Sequence, residues 1–155
     1  MIKLDEKEIE FIKNNEMKFR EYLGKKSNYY ISAWTIKPKY NMASAFGGLF
    51  WFGYKGMYLF PIGVVTMFLI FDLFFLKVLN ITSFYIKGFD KILAYGILGL
   101  SGALGNYLFY YKVKNDILKD KNPANKYLGI FFILIIDCLY VFTSVTLEEI
   151  FMWGW

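Results

Sequence analysis

Histidine is missing from this 155-residue chain, and cysteine occurs once, at Cys138. Without histidine, a His-based triad, a zincin site and His haem ligation are excluded. A single thiol makes no intrachain disulfide and no cysteine-rich metal site. Arginine is nearly absent as well: Arg20 stands beside 17 lysines. No glycine follows the first residue and no cysteine lies near the C-terminus, so the common lipidation patterns are lacking. The first 39 residues are polar and charged, so no standard cleavable signal sequence is expected.

Apolar side chains are in excess. The chain is 57% hydrophobic and 22% aromatic, with a mean hydropathy of +0.36. A soluble domain holds about 45–50% apolar residues, glycine included. The excess excludes a disordered chain and points to a membrane protein. The formal net charge is +5. A basic balance suits nucleic acid, an anionic membrane face or an acidic partner. Here the lysines flank long apolar runs, which favours anionic lipid over nucleic acid. No Walker lysine motif, dinucleotide fingerprint or nucleophile elbow occurs, so no enzyme and no cofactor is expected.

Residues 1–26 read as one amphipathic helix. Leu4, Phe11, Ile12, Phe19, Tyr22 and Leu23 share a stripe, interrupted by Glu8 and Asn15. Gly24 is the expected C-cap. Residues 25–57 carry no acid. Their lysines and aromatics predict a lipid-interface segment, with Lys37, Lys39, Trp51, Tyr54 and Lys55 as contacts. Within it, Ala43–Phe52 is apolar but spans only about 15 Å as a helix, half of the ~30 Å hydrocarbon core. It should lie in the interface, or dip in and return, with Gly47-Gly48 at the bend.

Three longer runs follow, at about 58–79, 92–111 and 127–147, each long enough to cross a bilayer. Helices satisfy their own backbone groups, so the expected fold is an all-α membrane protein. It has three transmembrane helices, an interfacial or re-entrant aromatic segment at 43–57 and the N-terminal amphipathic helix. Two regions result: 1–39, a helix and basic linker, and 40–155, the membrane domain. Lysine and arginine number 10 up to Lys55 and 5 in the loop 112–126, against 3 between the first two spans and none after Leu147. The positive-inside rule then places the N-terminus in the cytoplasm and the C-terminus outside a bacterial inner membrane. Trp153 and Trp155 are the expected outer anchors.

Asp72 and Asp137 stand out, because an aspartate at a span centre costs about 2.5–3.5 kcal/mol on insertion scales. If spans one and three run parallel, the two carboxyls reach similar depth. They would then form an ion or proton site. Alternatively, each is a hydrogen-bonded lock between helices, with Ser101, Thr66 or Thr143 as partner. In span two, Gly96, Gly99, Gly102 and Gly105 recur every third residue, beside Asn106. They predict close packing against the other two spans, with Asn106 bonding across helices.

The run Ala43, Ala45, Phe46, Gly48, Phe50, Trp51, Tyr54, Lys55, Met57 and Tyr58 resembles an aromatic signature of the bacterial domain-of-unknown-function family 2628. Gly24-Lys25-Lys26-Ser27-Asn28-Tyr29-Tyr30 and the set Gly102, Asn106, Phe109, Tyr110 and Tyr111 match its flanking elements. The resemblance implies a small integral membrane protein and transfers no catalytic residue. The expected function is a non-enzymatic membrane interaction or scaffold subunit that engages anionic lipid, its own copies or another membrane protein. The alternative is a small oligomeric channel or transporter using Asp72 and Asp137.

Overall fold

The computed structural model describes residues 2–77 and 83–153. Residues 78–82, the Lys87 side chain and the expected anchors Trp153 (its side chain) and Trp155 fall outside the described residues.

The single helix expected over 1–26 is two helices and a turn. They are α1 (Glu6–Asn14), α2 (Glu16–Leu23) and a 3-10 turn (Gly24–Lys26). Asp5 caps α1 by accepting from the Glu8 N–H at 2.8 Å. Asn15 ends α1, because its side-chain amide donates to the Phe11 carbonyl at 3.0 Å and competes with the helical pattern. The stripe does become a core: Leu4, Ile12 and Phe19 are buried, with Phe11, Tyr22 and Leu23 packed against them. Gly24 caps α2 as expected. The basic linker holds a further helix, α3 (Ser27–Thr35), which adds Tyr30 and Trp34 to the same core.

These short helices form a cap on the end of α6 (Ser83–Leu118). Phe19 stacks on Tyr110 at 6.2 Å, and Trp34 meets Tyr110 edge-on at 5.4 Å. At 36 residues, α6 runs about 54 Å by helical rise, well beyond the ~30 Å hydrocarbon core. The loop expected to begin at residue 112 therefore starts only after Leu118. Phe109, Tyr110, Val113 and Ile117 continue one buried stripe, so packing carries the helix through a charged stretch.

The two other spans are α5 (Leu59–Lys77) and α7 (Lys126–Trp153). They run parallel: Tyr58 meets Phe132 at 4.9 Å and Phe68 meets Tyr140 at 6.0 Å. By contrast α6 runs antiparallel to α5, and its beginning touches the end of α5 through Phe75 and Phe89 at 4.9 Å. Ile70, Phe74, Leu134, Phe142 and Val145 are exposed, as side chains facing lipid should be.

Between cap and spans lies α4 (Met42–Tyr54), broken at Gly48, where φ is +49°. Its contacts trace a descent and a return along α6. The Asn41 N–H donates to Gly102 at 2.8 Å, and Gly48 sits against Leu98. Trp51 then meets Phe109 at 5.9 Å. The chain descends about one turn along α6 and returns over about three, with the bend at one of the two glycines foreseen. Left-handed φ at Gly48 admits no ordinary side chain without strain.

Candidate functional site

Among the described residues, polar groups gather at several places, and three of them hold expected site residues. The first fastens α4 to α6. Asn106 donates to the Lys39 carbonyl at 2.9 Å, and its side-chain oxygen accepts from the Asn41 amide at 2.9 Å. Its backbone carbonyl accepts from the Trp34 indole at 2.7 Å. Asn41 also caps α4 by accepting from the Ser44 N–H at 2.9 Å, and the Ser44 hydroxyl donates to the Ser101 carbonyl at 2.9 Å. A buried network with its groups paired specifies one arrangement of the chain. Asn106 was legible as a cross-helix donor. Asn41 was not, because its partner lies 65 residues away.

The glycines of span two serve this same contact rather than spans one and three. A Cβ on Gly102 would fall 2.1 Å from the Tyr40 ring, and one on Gly105 would fall 2.5 Å from the Ser44 hydroxyl. A Cβ on Gly96 or Gly99 would meet nothing within 4 Å among the described residues, so neither forms a packing face with them; the Gly99 carbonyl accepts from Tyr40 at 3.3 Å. The reason is the three-residue period, which drifts around a helix and brings only half of the series under α4. One close helix approach was not foreseen: Gly129 of α7 lies against the Gly53 carbonyl, from which a Cβ would fall 2.0 Å.

The second site is inside the spans. Asp72 is 2% exposed and accepts from Ser144 at 3.0 Å and from Tyr140 at 3.4 Å. Thr143, one expected partner, instead donates to the Leu139 carbonyl at 2.8 Å. Asp137 is half-buried. It shares a helix face with Ser144 but lies about 10 Å from it by helical rise. Parallel spans therefore do not bring the two aspartates to one depth, because the α5–α7 register pairs Asp72 with residues further along α7.

The third site is a cleft of about 450 Å³ at the capped end. Lys25 and Lys26 reach it from the 3-10 turn, Lys55 from the end of α4, Lys112 from α6 and Lys126 from the start of α7. Tyr22, Tyr54 and Phe109 supply rings to its lining. The Lys55 ammonium lies 4.3 Å from the centre of Phe109 and 4.7 Å from that of Tyr30. Burial lowers its pKa to about 8, with Lys26, Lys126 and Lys112 adding like-charge repulsion. Lys112 is paired with Asp116 at 2.6 Å. Tyr22 donates to that same carboxylate, and its phenol pKa is raised first by burial and then by Asp116.

The expected lipid-interface residues divide. Lys37 is exposed, and Lys39 lies 5.4 Å over the Tyr29 ring while donating to Ser32 at 2.8 Å. Trp51 is buried against Phe52 and Phe109, because the return of α4 turns it towards the cap. Tyr54 and Lys55 line the cleft. No protein-family model, curated protein or solved structure matches the chain. The resemblance to family 2628 thus rests on the quoted residues alone.

Proposed function

We propose that this multi-pass membrane protein is a non-enzymatic interaction or scaffold subunit whose capped end engages anionic lipid at the cytoplasmic face of a bacterial inner membrane. The observation that carries the reading is the convergence of basic residues at that end. The cap clasps the last turns of α6, so Lys25, Lys26 and Lys55 stand together with Lys112 and Lys126. Such a surface attracts anionic headgroups at about 1 kcal/mol per lysine near the membrane. The lysine and arginine asymmetry supports a cytoplasmic N-terminus. The resemblance to family 2628 is consistent with a bacterial membrane setting. The bonds from Ser144 and Tyr140 support Asp72 as a lock between spans rather than half of a conducting pair.

The test is the lipid retained by the full chain extracted in native nanodiscs. Enrichment of anionic lipid over the bulk membrane is expected. Retained lipid that mirrors the bulk composition would overturn the reading.

A further inference from the structure

The cleft at the capped end gathers more positive charge than its own acids offset. Four parts of the chain contribute ammonium groups: the 3-10 turn, the end of α4, α6 and the start of α7. Glu21 is the one carboxylate among the described lining residues. Lys112 has its counter-charge in Asp116 at 2.6 Å. Among the described residues, Lys25, Lys26, Lys55 and Lys126 have no carboxylate within ion-pair distance. Folding has brought these like charges together around a partly dehydrated Lys55, which is unfavourable until an anion enters.

We infer that this cleft is a binding site for a phosphate-bearing anion, held by Lys26, Lys55 and Lys126. The inference rests on the reading of the capped end as an anion-engaging face and names its ligand class. A phosphate offers several acceptor oxygens and up to two negative charges, which several lysines contact as point charges. At about 450 Å³ the cleft exceeds a single phosphate and falls within the size of small-ligand sites, roughly 300–1,000 Å³. Leu23 and the ring of Phe109 give the organic part of such a ligand an apolar surface. An anion bound there would also oppose the depression of the Lys55 pKa, since its charge cancels the repulsion from Lys26, Lys112 and Lys126. The source is a phospholipid headgroup or a small soluble phosphate, and both present the same chemistry to the lysines.

The experiment is calorimetric titration of the full chain in phosphatidylcholine nanodiscs. The probes are inorganic phosphate and dihexanoyl phosphatidic acid, with dihexanoyl phosphatidylcholine as the control. Saturable binding of at least one anionic probe is expected. Binding should weaken about tenfold or more in the exposed double variant Lys26→Gln/Lys126→Gln, as loss of charge-assisted contacts predicts. Lys55→Met should weaken it too, read alongside that surface pair because Lys55 is packed among rings. Phosphatidic acid binding at least roughly tenfold tighter than phosphate assigns a lipid source, whereas equal affinity assigns a soluble phosphate. No saturable binding of either probe overturns the inference, as does binding unchanged in the double variant while circular dichroism shows the fold intact. If native nanodiscs show no anionic enrichment while phosphate still binds the cleft, only the broader lipid reading fails.

Discussion

Glu8 of the first helix and Lys114 of the second span form an ion pair across 106 residues of sequence, with the Lys114 ammonium 2.7 Å from one carboxylate oxygen. Tyr110 donates to the other oxygen of Glu8, and the Lys114 ammonium lies 4.9 Å over the Phe11 ring. Glu8 is thus no flaw in the apolar stripe of the N-terminal helix. It is the polar rivet at the edge of an aromatic core.

Breaking that rivet should loosen the cap without unfolding the spans. Both side chains are partly buried, at 24% and 16% exposure, so the pair should contribute more than a fully exposed one. A double-mutant cycle of Glu8→Gln and Lys114→Met is expected to give a coupling of about 1 kcal/mol. Hydrogen exchange of the α1 amides in nanodiscs is the readout. Additive effects of the two variants would remove the pair from the cap's stability.

Asn106→Leu should be among the most damaging single changes. It leaves the buried Asn41 amide and the part-buried Lys39 carbonyl without their partner. An unsatisfied buried group costs about 1–3 kcal/mol, so the loss should reach roughly 2 kcal/mol or more. Thermal unfolding in detergent should show a clearly lower Tm. A Tm equal to that of the wild-type protein would mean that α4 is held by something else.

Two glycine substitutions should differ sharply. Gly129→Ala pushes a methyl group against the Gly53 carbonyl and should separate α4 from α7 at a cost of about 1–3 kcal/mol. Gly96→Ala meets open space and should be neutral or slightly stabilising, as alanine is the better helix former by about 1 kcal/mol. Unfolding curves in one detergent compare them directly. Equal behaviour would refute the close approach of α4 and α7.

Asp72 should couple to Ser144 and not to Asp137. Alanine variants of Asp72 and Ser144 remove one shared bond of 3.0 Å, so their effects should depart from additivity by about 0.5 kcal/mol or more. Asp72 and Asp137 variants should add to within about 0.5 kcal/mol, as expected of separated sites. Proteoliposome flux should be the same for wild type, Asp72→Asn and Asp137→Asn. A wild-type ion or proton flux abolished by either variant would restore the conduit.

The pH dependence of stability should carry a mark of Lys55. Its folded pKa is lowered from 10.5 to about 8, so between those values the unfolded chain holds more protons than the folded one. Stability should therefore rise with pH through that window, and the Lys55 contribution is most unfavourable below about 8. The groups facing it are Tyr30, Tyr54, Lys26, Lys112 and Lys126. Lys55→Met should flatten the rise between about pH 8 and pH 10.5. An identical slope in the variant would show that Lys55 titrates as a free lysine.

Sequence alone determined the three spans, the lipid-facing character of their surfaces and the gathering of lysine at the ends of particular runs. These follow from composition over about 20 residues, because a helix in lipid satisfies its own backbone whatever its neighbours. The bend within Ala43–Phe52 was legible for a related reason: the run is too short to cross, and a glycine pair sits in its middle. Tertiary structure decided the rest. Partners of a polar side chain depend on register between helices, and no local pattern reports it. Asp72 found Ser144 instead of Asp137, Asn106 found Asn41, and Gly102 received Tyr40 for that reason. Lysines 112 and 114 looked like loop residues until the cap gave α6 an apolar surface to pack against. The basic cleft exists because chain segments distant in sequence end at the same place, a matter of packing and not of any one segment's composition.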